Sequence, residues 1–129
     1  ETLILGGELG GTYEGYFDLP GGRIDTIEFN ESFENILKRE LQEEIGNVEV
    51  EINFQPVALG RHASTKKDEN QKEIHVLYIF FTGIYKGGEV VISPEHTSSK
   101  WIDLKTIDPK QYFKSGILQG IEMYLKNDR

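Results

Sequence analysis

Glu40, Glu43 and Glu44 stand at a spacing that could do chemistry. In a helix each residue turns about 100°, so positions i, i+3 and i+4 share one face. The three carboxylates then project into one small volume. Holding them there is unfavourable, because like charges at that spacing cost about 0.2–0.5 kcal/mol per pair. They also precede Gly46 by only a few residues, near a helix end where the macrodipole disfavours anions. A face selected for stability alone would carry Lys or Arg there. Three hard oxygen donors on one face suit Mg²⁺ or Mn²⁺. The plain alternative is a solvated acidic face. The upstream glycine turn Pro20-Gly21-Gly22 and Arg39 beside Glu40 weigh for a metal site.

A helix starting at Asn30 or Ser32, both N-cap types, and ending at Gly46 would position these carboxylates. Leu37, Leu41 and Ile45 recur at i, i+4 and i+8 and form its core-facing stripe, offset from the acidic face. Upstream, residues 2–5 and 16–19 read as short strands, the second stopped by Pro20. Between them, residues 6–15 form a glycine-rich loop, whose Gly10-Gly11 reads as flexible linker rather than a phosphate cradle. Downstream, residues 48–60 alternate in part as a strand, residues 61–73 are polar and aperiodic and read as a hairpin tip or loop, and residues 74–85 read as the central strand. Residues 89–92 and 99–103 read as further strands, joined by a loop at 93–96. Asp108-Pro109, a cap followed by an N1 proline, starts a second helix. Its apolar face would hold Tyr112, Phe113, Ile117, Ile121, Tyr124 and Leu125. This order of elements predicts an α/β class, with a mixed β-sheet between two helices.

The run Arg39-Glu40-Leu41-Gln42-Glu43-Glu44-Ile45-Gly46 resembles the core of the Nudix box, Arg-Glu-aliphatic-x-Glu-Glu-x-Gly. Pro20-Gly21-Gly22 resembles the glycine turn that opens that box. Two features depart from the family pattern. The loop before Glu31 is three residues longer, and Asn47 stands where the family has an apolar residue. Glu28 keeps the family's distance from the glycine turn but not from Arg39, so Glu31 is the expected match.

The resemblance implies one Nudix domain over residues 1–129, folded as an α/β/α sandwich. It also implies hydrolysis of a phosphoanhydride bond. Glu43 and Glu44 would be the main metal ligands, and Glu40 a third ligand or the base that orients water. The Gly21 carbonyl would join them, because a glycine turn lets backbone approach an ion. Arg39 would pair with Glu31 and fix a box carboxylate. Glu95, just before the Trp101 segment, matches a family acid that reaches the metal; a plain loop acid is the other reading. His62, His75 and Glu95 are the candidates for a loop-borne base, and both histidines also fit structural or solvent-exposed roles. Gly22, Arg23 and Arg61 are the expected substrate contacts. Tyr16 and Trp101 read as core rather than as base-stacking platforms. The family has a strand before residues 2–5 that is not found here. An edge so exposed invites pairing, so an upstream start or a homodimer is expected.

Composition narrows the alternatives. A chain of 129 residues with 37% apolar content suits one packed domain. A formal net charge of -8 argues against a nucleic-acid polymer, which needs a basic footprint. It leaves room for a small nucleotide, since bound divalent metal inverts the local field. There are no cysteines, hence no disulfide or thiolate site. No apolar run is long enough for a membrane span and no signal peptide is visible, so a cytoplasmic location is expected. No P-loop lysine and serine follow the glycine pairs. The reading is therefore a Mg²⁺- or Mn²⁺-dependent hydrolase acting on a nucleoside diphosphate linked to another group. The alternative is a catalytically silent Nudix-fold module that binds a nucleotide.

Overall fold

The computed structural model describes residues 1–127. Strand β1 (Thr2–Gly6) lies between β2 (Phe17–Asp18) and β5 (Ser99–Ile102), antiparallel to both. Strands β3 (Glu49–Lys67) and β4 (Glu73–Gly87) form a long antiparallel hairpin as a second sheet. Helix α1 (Phe33–Ile45) follows a 3-10 turn at Thr26–Glu28, and α2 (Pro109–Tyr112) and α3 (Ser115–Asn127) close the chain. Every pairing among the described residues is antiparallel, in two sheets, so the expected single mixed sheet with β4 at its centre is not found.

β1 divides the interior. Ile4, fully buried, packs with Tyr13, Leu104, Phe113, Ile117 and Ile121 under α3. Its neighbours Leu3 and Leu5 point the other way, to Ile45 at the end of α1. Strand alternation thus gives one five-residue strand two cores, one served by each helix. Each such aliphatic burial stabilises by about 1.5–3 kcal/mol. On α3, Gly116 and Gly120 seat the rings of Tyr78 and Phe80 from β4. A methyl group there would stand 2.6 Å and 2.1 Å from those rings.

Three local expectations are corrected. The hairpin tip expected over residues 61–73 is shorter, because Arg61 to Lys67 is strand, with Arg61 opposite Leu77 and Lys67 opposite Glu73. The start of that segment is anchored on α3: the Arg61 amide donates to Gln119 Oε1 at 2.8 Å, and His62 Nδ1 lies 2.6 Å from Ser115 Oγ. The turn comes at Asp68, whose Oδ1 accepts from the amides of Asn70 and Lys72 at 2.8 and 2.9 Å. A register shift falls between Asn53 and Ala58, where Pro56, lacking an amide donor, is accommodated. Residues 89–92 are extended but belong to no sheet. Val90 and Ile92 pack on the Leu3–Leu5–Ile45 cluster. The intervening backbone instead caps α1: the amides of Val91 and Ser93 donate to the carbonyls of Ile45 and Glu44 at 2.9 and 3.0 Å. Finally, the C-terminal helix is broken at Phe113. That ring is 1% exposed, and Ser115 adopts φ 52 to restart the helix as α3.

Candidate active site

Ser32 caps α1, its hydroxyl accepting from the Asn35 amide at 3.1 Å. Along the helix, Ile36, Glu40 and Ile45 are buried, while Leu37 and Leu41 are half-buried. The buried stripe therefore includes a carboxylate that hydrophobic spacing alone had excluded. The reason lies in the glycine turn. Gly22 lies against Glu40 so closely that a Cβ there would come 1.7 Å from Oε2. A residue without a side chain at position 22 lets the turn cover the acid.

The three glutamates do not converge on one point; two polar clusters share them. In the first, Arg39 donates to Glu40 at 2.7 Å and to both oxygens of Glu43 at 3.0 and 3.1 Å. Its Nε reaches Glu28 at 2.6 Å, and its second nitrogen also bonds that carboxylate. Glu31 is thus not the partner of Arg39; it accepts from the Asn35 side chain at 3.3 Å instead. The physical reason is length. Glu31 precedes the cap and meets Asn35 on the first turn of α1, while Arg39 lies about two turns along the chain from Glu31. The longer loop folds as a 3-10 turn, closed by the Asp25 amide donating to Glu28 at 3.2 Å, and returns Glu28 to the middle of α1. The hydrogen bond from Arg39 holds the Glu28 carboxyl below its ordinary range. Burial pushes that of Glu40 up, with Arg39 opposing.

In the second cluster, Oε2 of Glu44 accepts from the Gly21 amide at 3.3 Å and lies 3.2 Å from Nε2 of His96. Nδ1 of His96 faces the Gly6 carbonyl at 3.3 Å. A carbonyl only accepts, so a hydrogen bond there needs Nδ1–H, and the contact with Glu44 needs a further proton between Nε2 and Oε2. The side chains of His96 and Glu44 are 6% and 16% exposed. Burial pushes the Glu44 carboxyl up to about 7; His96 and the Gly21 amide pull it back, and Asp18 adds to the rise. Asp18 is itself held above its ordinary range by burial.

Sequence reasoning missed His96 and Asp18. Glu95, read as either a metal-reaching acid or a plain loop acid, is exposed in the turn, while its neighbour His96 is half-buried and meets Glu44. The available signal was Gly6. A Cβ there would lie 2.3 Å from Thr97 Oγ1, so the end of β1 must be bare for residues 96–98 to approach. The other candidates lie elsewhere. Arg23 is exposed beside the turn. Arg61 lines a shallow depression on the hairpin with Leu59, Leu77 and Met123. His75 is exposed and faces Glu73 at 3.1 Å. His62 bonds Ser115 Oγ at 2.6 Å through Nδ1, near Tyr13. Trp101 is not core: it is 40% exposed, with its ring 5.3 Å from that of Tyr85. Tyr16 is half-buried under Lys114.

Among the described residues no three acidic, histidine or cysteine side chains are gathered as a ready ligand cage. The donor set nonetheless fits a hard divalent cation. Glu44 is a half-buried carboxylate that, among the described residues, meets no arginine or lysine and makes no side-chain hydrogen bond through its second oxygen Oε1, and the Gly21 turn adjoins it. The Glu43 side chain is 59% exposed and, among the described residues, is tethered to Arg39 alone.

A family model described as NUDIX domain matches residues 3–119. The chain belongs to the Nudix family. Two proteins named nucleoside triphosphatase NudI from Klebsiella pneumoniae are similar to this Nudix chain. One (strain 342) is 27% identical over 103 residues, covering 76% of the chain and 71% of the relative. The other, from subspecies pneumoniae, is 28% identical over the same span. A NudI from Escherichia coli O139:H28 is 28% identical over 94 residues, covering 71% of the chain and 64% of that protein. The chain is a Nudix-type pyrophosphohydrolase. No helix among the described residues is long and apolar enough to cross a membrane.

Proposed function

We propose that this Nudix protein hydrolyses, with Mg²⁺ or Mn²⁺, a phosphoanhydride bond in a nucleoside diphosphate linked to another group. A third phosphate qualifies as that group, and the similar relatives are named nucleoside triphosphatases. The observation that carries the reading is the Glu44 cluster: a mostly buried carboxylate, 16% exposed and pushed up to about 7, beside a glycine turn and with no arginine or lysine ion-paired to it among the described residues. Glu44 and the Gly21 carbonyl would hold the ion, and exposed Glu43 would join on leaving Arg39. Bound there, the ion would neutralise pyrophosphate oxygens and acidify a water molecule. Glu40 lies against Gly22 of the glycine turn, and Arg39 keeps Glu40 and Glu43 in place. The reaction adds water across the P–O–P link: one phosphorus gains oxygen, and the other fragment leaves as a phosphate or pyrophosphate. We also propose that the helices flanking β1 and the two sheets form the family's α/β/α sandwich as a single domain, and that the protein works in the cytoplasm.

The test is hydrolysis of nucleoside triphosphates, dinucleoside polyphosphates, ADP-ribose and sugar nucleotides in ¹⁸O-labelled water, with products located by mass spectrometry. Label in a nucleoside monophosphate or in the departing phosphate fragment, lost on chelation, supports the proposal. Activity that survives chelation, or comparable cleavage of p-nitrophenyl phosphate, contradicts it.

A further inference from the structure

We propose that His96 is a positioning residue for Glu44, fixing that carboxylate beside the Gly21 turn through its Nε2. The proposal rests on the reading of Glu44 as the acid that holds the ion. Three observations lead to it. First, the imidazole is anchored from behind: Nδ1 faces the Gly6 carbonyl at 3.3 Å, and the side chain is 6% exposed, so the ring has a set direction. Second, the direction is toward Glu44: Nε2 lies 3.2 Å from Oε2, the same oxygen that accepts from the Gly21 amide. Both contacts fall on Oε2, and Oε1 makes no side-chain hydrogen bond among the described residues. The pair therefore sets the rotamer while leaving one oxygen for a ligand. Third, the backbone builds the contact from the same helix turn. The Ser93 amide donates to the Glu44 carbonyl at 3.0 Å, and the His96 amide to the Ser93 carbonyl at 3.1 Å. The turn carrying His96 is thus tied to the residue whose side chain His96 meets. A bond from a neighbouring side chain to a metal-holding group is a common way of orienting it, and its loss costs about 10–100-fold in metal affinity.

A bracing role through Gly6 alone would give the opposite mutational pattern, which makes the two separable. His96→Gln retains a polar atom at the depth of Nε2, and His96→Asn one at the depth of Nδ1. His96→Leu retains neither. Mn²⁺ affinity is read by calorimetry on each variant, on the wild type and on Glu44→Gln, with circular dichroism and the thermal midpoint as folding controls. The expected result is near wild-type affinity in His96→Gln and a loss of about 10–100-fold in His96→Asn. Affinity kept in His96→Asn, or lost equally in both polar variants, overturns the proposal. If His96→Leu does not fold, the Gln and Asn pair decides alone. Glu44→Gln separates the two levels. If it binds Mn²⁺ like the wild type, the reading of Glu44 fails and the proposal with it. If it loses binding while His96→Asn keeps it, only the proposal about His96 fails.

Discussion

Glu43 and Glu44 are chain neighbours on one helix, yet they live in different chemistry. Glu43 belongs to a cluster that already contains its cation: Arg39 is shared among Glu28, Glu40 and Glu43. Glu44 is turned to Gly21 and His96, where no permanent positive charge meets it. A guanidinium is charged at every accessible pH, so the first cluster is a self-contained fastener. The second holds a buried acid whose charge is disfavoured until something supplies a counter-charge. The loops thus give neighbouring carboxylates of one helix different partners: a guanidinium for Glu43, and a glycine turn and an imidazole for Glu44.

The largest effect expected is on turnover. Glu44→Gln keeps the volume and the fold and should lower hydrolysis by about 10²–10³-fold, as when a charge-stabilising group is removed from a site. Glu95→Gln, at an exposed residue, should cost little. Wild-type turnover in Glu44→Gln, or equal losses in both, would erase the distinction drawn here.

Next in size is the stability of the fastener. Glu28→Gln removes a bonded partner of Arg39, and Arg39→Lys keeps the charge while losing the fork. Both should lower the thermal midpoint measurably. Glu31→Gln, whose side chain accepts from Asn35, should leave it close to the wild-type value. A larger fall in Glu31→Gln than in Glu28→Gln would restore the family's spacing as the better guide.

The smallest effect is a pH dependence without metal. The Glu44 carboxyl is raised from 4.5 to about 7 by burial. A raised value means that the folded state favours the protonated acid. Its contribution to stability is full below pH 4.5 and is lost as pH rises to about 7. The metal-free wild type should therefore lose midpoint relative to Glu44→Gln across that window. Millimolar Mn²⁺ at neutral pH should raise the wild-type midpoint, since an ion that binds only the fold stabilises it. A parallel pH profile in the two proteins would show that Glu44 is not buried as described.

Much of this was legible in the residues. The box, the cap at Ser32, β1, β5 and the start at Asp108-Pro109 follow from spacing and capping chemistry that act within a few positions. What escaped depended on contacts distant in sequence. Residues 89–92 carry a strand's apolar pattern but use their backbone to cap α1. Glu28 reaches Arg39 because an extended loop folds as a 3-10 turn, which counting along the box cannot reveal. His96 rather than Glu95 enters the site because the end of β1 is bare at Gly6. Periodicity reports which face of an element is buried, not which loop will meet it.

The central claim is that the Glu44 pocket, and not the Arg39 fastener, is where the cation is held. Diffraction from crystals soaked in Mn²⁺, recorded at the manganese absorption edge, tests it most directly. The expected result is an anomalous peak in contact with the Glu44 carboxylate and the Gly21 carbonyl, with Arg39 still bonded to Glu28. No peak at Glu44, or a peak only at carboxylates outside residues 40–44, would contradict it.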